Sequence, residues 1–190
     1  MERKTSETDI ALSLTLEGSG RHDIATGVPF FDHMLNAFSR HGLFDITLTA
    51  KGDLDVDAHH TVEDVGIVLG QTLDRCLGDR RNITRFGHAL IPMDEALVLA
   101  AVDISGRGQL HWHVELPIEF IGTFDTTLFK EFLIAVSTTA GLTLHVRSLA
   151  GENSHHIIEA LSKATARALA MAVTIDDRLG GYIPSTKGIL

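Results

Sequence analysis

The feature that most constrains this chain is that its second half repeats its first. "FFDHMLNAFSRHGLFDITL" (30–48) matches "LFKEFLIAVSTTAGLTLHV" (128–146) as helix, glycine, strand, and "DAHHTVEDVG" (57–66) matches "NSHHIIEALS" (153–162) as the start of a further helix. Such self-similarity means two copies of one supersecondary unit, neither able to bury its apolar face alone. In 190 residues the copies must share a core, which predicts one domain over 1–190 built from two pseudo-repeats, about 1–92 and 93–190. The expected fold class is α+β: an internally duplicated two-layer unit with helices packed on one face of mainly antiparallel sheet.

Local patterns fill in that unit. "DIALSLTL" (9–16) alternates with the period of a half-buried strand, and "EGSG" turns the chain towards a short partner strand near Asp23–Thr26. Pro29 suits a helix start, Phe31, Met34, Leu35 and Phe38 recur at helical spacing, and Gly42 ends the run. "LFDITLTA" reads as a strand. From His59 to Leu77 a helix carries Val62, Val65, Leu69, Leu73 and Cys76 on one face, which puts the single cysteine in the core, and Gly78 closes it. "DEALVLAAVDISG" and "QLHWHVEL" supply two more strands, the first apolar enough to be buried on both faces. The tail "LGGYIPSTKGIL" reads as a lid or arm.

Each copy holds a His-His-x-x-Glu motif, and packing would be served better by apolar residues. On a helix, residues four apart share a face while neighbours diverge by about 100°. His59 can therefore share a metal with Glu63, and His155 with Glu159, whereas His60 and His156 point aside. Two metals resolve the geometry. One would take His59, Glu63, His155 and Glu159, and the other His60, His156, His33 and Glu131. The last two occupy matched places on the first helix of each copy. Nitrogen and carboxylate ligands together favour Mn, Fe, Zn or Ni over Ca or Mg, and four protein ligands per ion leave room for substrate. Ser154, as N-cap, and Asp57 read as helix caps. His111 and His113 share a strand face and are read as polar strand residues. His41, His88 and His145 carry no assignment, and His22 lies in a turn.

Composition excludes other classes. A net charge of −9 opposes nucleic-acid binding, which needs clustered cations. One cysteine allows neither a disulfide framework nor a thiolate metal cluster. No apolar run approaches a membrane span, and "MERKTSETD" lacks the apolar stretch of a signal peptide, so a cytoplasmic protein is expected. Arg85 in "TRFG", Arg107 in "SGRG" and Lys187 in "PSTKG" lie in contexts suited to anion capture, though each alone is an ordinary surface charge.

With both His-His-x-x-Glu motifs, "FFDHML", "SRHGLFD", "GLTLHV" and "PSTKG" in this order, the sequence resembles the imidazoleglycerol-phosphate dehydratases from about Arg3 to Gly188. The resemblance implies a homo-oligomer of 24 subunits with octahedral symmetry, and two Mn²⁺ per active site placed between subunits. The implied reaction is dehydration of D-erythro-imidazole glycerol 3-phosphate to imidazole acetol phosphate in histidine biosynthesis, through an imidazolate bridged between the two Mn ions. By the same resemblance the metal sets are those reached from helix geometry, with Glu131 standing where some members have His. Arg85, Arg107, Ser185 and Lys187 would contact substrate phosphate. Glu7, which matches a family residue near the reacting carbons, is the hypothesis for the general acid/base, with Glu63 and Glu159 the carboxylates of the catalytic centre. Two other classes use the same ligands: a dinuclear phosphohydrolase, and a structural protein assembled through metal.

Overall fold

Alternation decides the two sheets. In the strand Thr8–Thr15, Thr8, Ile10 and Leu12 are buried while Asp9, Ala11 and Ser13 are exposed, the signature of a sheet covered on one face. The computed structural model describes residues 1–190. Its first copy runs β1 (Glu2–Lys4), β2 (Thr8–Thr15), β3 (His22–Ala25), α1 (Pro29–Gly42), β4 (Asp45–Gly52) and α2 (His59–Leu77). The second runs β5 (Phe86–Met93), β6 (Ala96–Asp103), β7 (Gln109–His113), a small hairpin β8 (Phe120–Ile121) and β9 (Phe124–Asp125), α3 (Leu128–Ala140), β10 (Thr143–Ala150) and α4 (Ser154–Val173).

The strand orders match, β1-β2-β4-β3 and β5-β6-β10-β7. Both sheets are antiparallel except for their last pair, β3 with β4 and β7 with β10. Because β5 forms the edge of the second sheet, the division between copies falls in 78–85, earlier than residue 92. Helices α1 and α2 cover the first sheet, α3 and α4 the second, and the helices pair across the copies, α1 with α4 and α2 with α3. One cluster of 44 buried residues draws on both sheets and all four helices, so the copies share their apolar interior.

Each cross-copy pair runs parallel. On one side the Ser162 hydroxyl donates to Met34 O at 2.7 Å, and Gly42 lies against Ala166. On the other, α2 comes so close to α3 that a Cβ on Gly70 would stand 2.0 Å from Thr139 Oγ1 and 2.7 Å from the Val136 carbonyl. No helix is long and apolar enough to cross a membrane.

Several sequence expectations need correction. β3 pairs in parallel with β4 rather than with β2, because the 18–21 loop wraps the Asp45 carboxylate, which accepts from the backbone N–H groups of Ser19 and Arg21 and pairs with the Arg21 guanidinium. β6 is buried on one face only: Ala96, Val98, Ala100 and Val102 point inward and the residues between them are partly exposed. Cys76 is exposed, since the buried stripe of α2 passes from Leu73 to Leu77 and leaves it outside. The left-handed residue that ends α1 is Leu43 (φ 58°), not Gly42, whose own Cβ would meet the Phe44 ring at 2.5 Å. Asn153, not Ser154, caps α4; Ser154 is buried and accepts from the Ile118 N–H. β1 and β5 had no counterpart in the sequence reading.

Candidate metal centre

The cap geometry sets the first turn of each motif helix. Asp57 accepts from the His59 N–H at 2.7 Å, and Asn153 accepts from the His155 N–H at 2.9 Å, so both His-His pairs enter their helices by the same two-residue turn. Asp64, one residue past Glu63, is buried, where it accepts from Thr8 and pairs with Arg3. That inward anchor fixes the rotation of α2 and leaves His59 and Glu63 facing outward, 3.8 Å apart.

Three candidate ligand side chains converge at the paired N-termini of α1 and α4. His33, His155 and Glu159 bring one donor atom each within 4.8 Å of one another. Glu159 Oε2 lies 3.5 Å from His33 Nε2 and 3.4 Å from His155 Nε2. Two donors each about 2.1 Å from a common ion stand at about that separation, so the donor set and its spacing fit a first-row divalent cation. Burial pushes the Glu159 carboxyl up, but the Lys163 ammonium, 2.7 Å away, and the flanking His33 and His155 outweigh it and hold the pKa below its usual value. The group is therefore an anion ready to ligate.

This regroups the expected sets within one chain. His155 and Glu159 sit with His33, not with His59 and Glu63, because α4 pairs with α1 and α2 with α3. The pseudo-equivalent of that trio is Glu131, His59 and Glu63. Gly66 faces the Phe132 carbonyl and Gly70 that of Val136, a register that carries Glu131 of α3 to the level of Glu63.

The neighbouring histidines are held by carboxylates. His60 Nδ1 lies 3.0 Å from Asp53 and 3.9 Å from Glu7, and the hydrogen bond to Asp53 raises its pKa. His156 Nδ1 lies 2.7 Å from Glu95, whose carboxyl that contact holds down at about 2, while the His156 pKa rises. A carboxylate on Nδ1 fixes the tautomer that offers Nε2 to a metal. Lys163, Asp53 and Glu95 were missing from the sequence reading. Lys163 had a signal, four residues past Glu159 on one helix face; Asp53 and Glu95 lie in loops with no spacing rule to reveal them.

The anion-binding candidates occupy the other end of the second sheet. Arg85 pairs with Asp103 at 2.8 Å and donates to the Pro184 carbonyl, which docks the tail beside Ser185 and Lys187. Arg107 follows Ser105, whose hydroxyl meets Thr143 Oγ1 at 2.8 Å, and Thr143 is the register partner of Asp103. Glu95 and Asp103 bracket β6, so the His156 end and the Arg85 end are about 26 Å apart along that strand.

Fold and site together define a duplicated α+β protein with a histidine–carboxylate centre at its helix N-termini. The family model described as imidazoleglycerol-phosphate dehydratase matches residues 26–169. A curated relative of that name from Gluconobacter oxydans (strain 621H) is 58% identical over 190 residues, covering 100% of this chain and 96% of its own. One from Acetivibrio thermocellus is 57% identical, covering 100% and 97%. Among solved structures, the Pyrococcus furiosus enzyme in complex with (S)-C348 superposes with a TM-score of 0.87 at 38% identity over 100% of both chains. The Staphylococcus aureus enzyme gives 0.83 at 40% identity over 93% of this chain and 98% of its own. The chain belongs to the imidazoleglycerol-phosphate dehydratase family and is a hydro-lyase of histidine biosynthesis.

Proposed function

We propose that the chain, acting in the cytoplasm as one domain over 1–190, converts D-erythro-imidazole glycerol 3-phosphate to imidazole acetol phosphate with two Mn²⁺ per active site. The observation that carries this reading is the convergence of His33, His155 and Glu159; the repeat assigns Glu131, His59 and Glu63 the matching places on the other helix pair. His60 and His156, oriented by Asp53 and Glu95, complete the eight ligands. The reaction is demanding because the proton leaves a carbon with no adjacent carbonyl. Held by these eight side chains, two cations would stabilise the deprotonated substrate ring, the electron source for loss of the neighbouring hydroxyl.

The rest falls to side chains. Glu7, whose carboxylate lies 3.9 Å from His60 Nδ1, would move the proton between substrate carbon and oxygen. Arg85, Arg107, Ser185 and Lys187 would grip the phosphate and orient the three-carbon arm. No three-carbon arm spans about 26 Å, which supports phosphate held at Arg85 and ring held at His155 on different subunits. That separation supports a homo-oligomer, with 24 subunits as the proposed state. The test is turnover to the ketone by chelator-stripped protein as Mn²⁺ is titrated back and bound metal counted. Activity rising as occupancy approaches two ions per chain supports the reading; full metal binding without ketone overturns it.

A further inference from the structure

On the second sheet, away from the helices, His111 and His145 stack with ring centroids 4.1 Å apart and planes 12° from parallel. They are direct register partners on the parallel strands β7 and β10. Both side chains stand on the outer face, since Leu144 and Val146 either side of His145 are buried while His145 is exposed. Duplication does not account for the pair: the equivalent partners of the first sheet are Asp23 and Thr47. Neither imidazole takes part in the reaction above, and no carboxylate holds either ring.

The geometry points to a second metal site, a bis-imidazole chelate of His111 and His145 that takes a borderline divalent ion such as Ni²⁺, Cu²⁺ or Zn²⁺ and not Mn²⁺. Two nitrogens bound to one ion stand about 3 Å apart, within reach of rings stacked at 4.1 Å by small rotations about Cβ–Cγ. An all-nitrogen pair follows the Irving–Williams order, in which Mn²⁺ binds weakest and prefers oxygen. Burial, and then the neighbouring His111 and His113, lower the His145 pKa, so the ring is neutral and free to ligate near neutral pH. Arg147 stands opposite His113 in the register and places positive charge at that edge, which centres the site on the stacked pair. Water completes the coordination sphere.

The single tryptophan reports on the site, because Trp112 lies between His111 and His113 on β7. Ni²⁺ titrated into the full-length protein should quench Trp112 fluorescence saturably, and Mn²⁺ at the same concentrations should not. The quenching should vanish in His145→Ala, in His111→Ala and in the milder His145→Gln, and persist in His155→Ala. Quenching absent from the native protein, retained in both His111→Ala and His145→Ala, or lost only in His155→Ala overturns the proposal. The last result would assign the ion to the helix N-termini. These readouts need no turnover, so the site stands or falls apart from the dehydratase reading.

Discussion

At the scale of single residues, the centre is governed by what lies behind the ligands. Nε2 of His156 lies 3.7 Å from an Asp94 oxygen, and Asp53 and Glu95 each hold the Nδ1 of a candidate ligand histidine. Removing such a partner commonly costs about 10–100-fold in metal affinity. Glu95→Ala should therefore weaken metal binding by about that factor while His156 remains in place, as read by competition with a chromogenic chelator. Unchanged affinity would reduce Glu95 to a surface partner. The same pairs dictate a pH dependence. His60 and His156 have raised pKa values, so their carboxylate contacts stabilise the folded protein fully below the ordinary histidine value, and that contribution is lost as pH rises through the raised one. Metal needs the deprotonated rings. The rise in Tm produced by metal should be large near about pH 8.5 and shrink as pH falls, beginning above about 6.5. A shift that stayed constant down to about pH 5.5 would show that these rings do not ligate.

At the scale of elements, close approach and chain reversal set local stability. Gly70→Ala would force the α2–α3 contact apart, since the added methyl meets a backbone carbonyl as well as Thr139. A loss of about 1–3 kcal/mol is expected despite the better helix propensity of alanine. Leu43 carries a left-handed conformation (φ 58°) where the second copy has Gly141 (φ 67°), and it is 57% exposed. Leu43→Gly should relieve strain and stabilise by about 0.5–1 kcal/mol, measured as a higher urea midpoint of the metal-free protein. The motif helices were legible in the sequence because their apolar periodicity and repeat agree. β5 was not, because its pattern is inverted: Gly87 and Ala89 are buried while Phe86 and Leu90 are exposed. The reason lies in α4, which passes so close that a Cβ on Gly87 would stand 1.9 Å from the Ala168 carbonyl. The candidate ligands His33, His155 and Glu159 were legible too, but not their convergence within one chain, since which helix pairs with which is set by small residues such as Ser162 and Gly70 rather than by spacing in the chain.

At the scale of the whole molecule, the two ends of β6 divide the work. The candidate ligand histidines and Glu7 gather where the motif helices begin, and the basic residues with the tail gather near Asp103, about 26 Å away along the strand. If one active site takes metal ligands from one subunit and the phosphate grip from another, two inactive proteins contain between them the parts of an active one. His155→Ala lacks part of the first end and Arg107→Ala part of the second. Dissociated, mixed in equal amounts and reassembled, they should recover about one quarter of native activity, because random assembly makes about one site in four from two intact halves. Each variant reassembled alone should stay inactive. A site contained within one chain predicts no recovery at any ratio, so the yield of the mixture, with native-size assembly checked by sedimentation, decides whether the oligomer is needed for chemistry or only for stability.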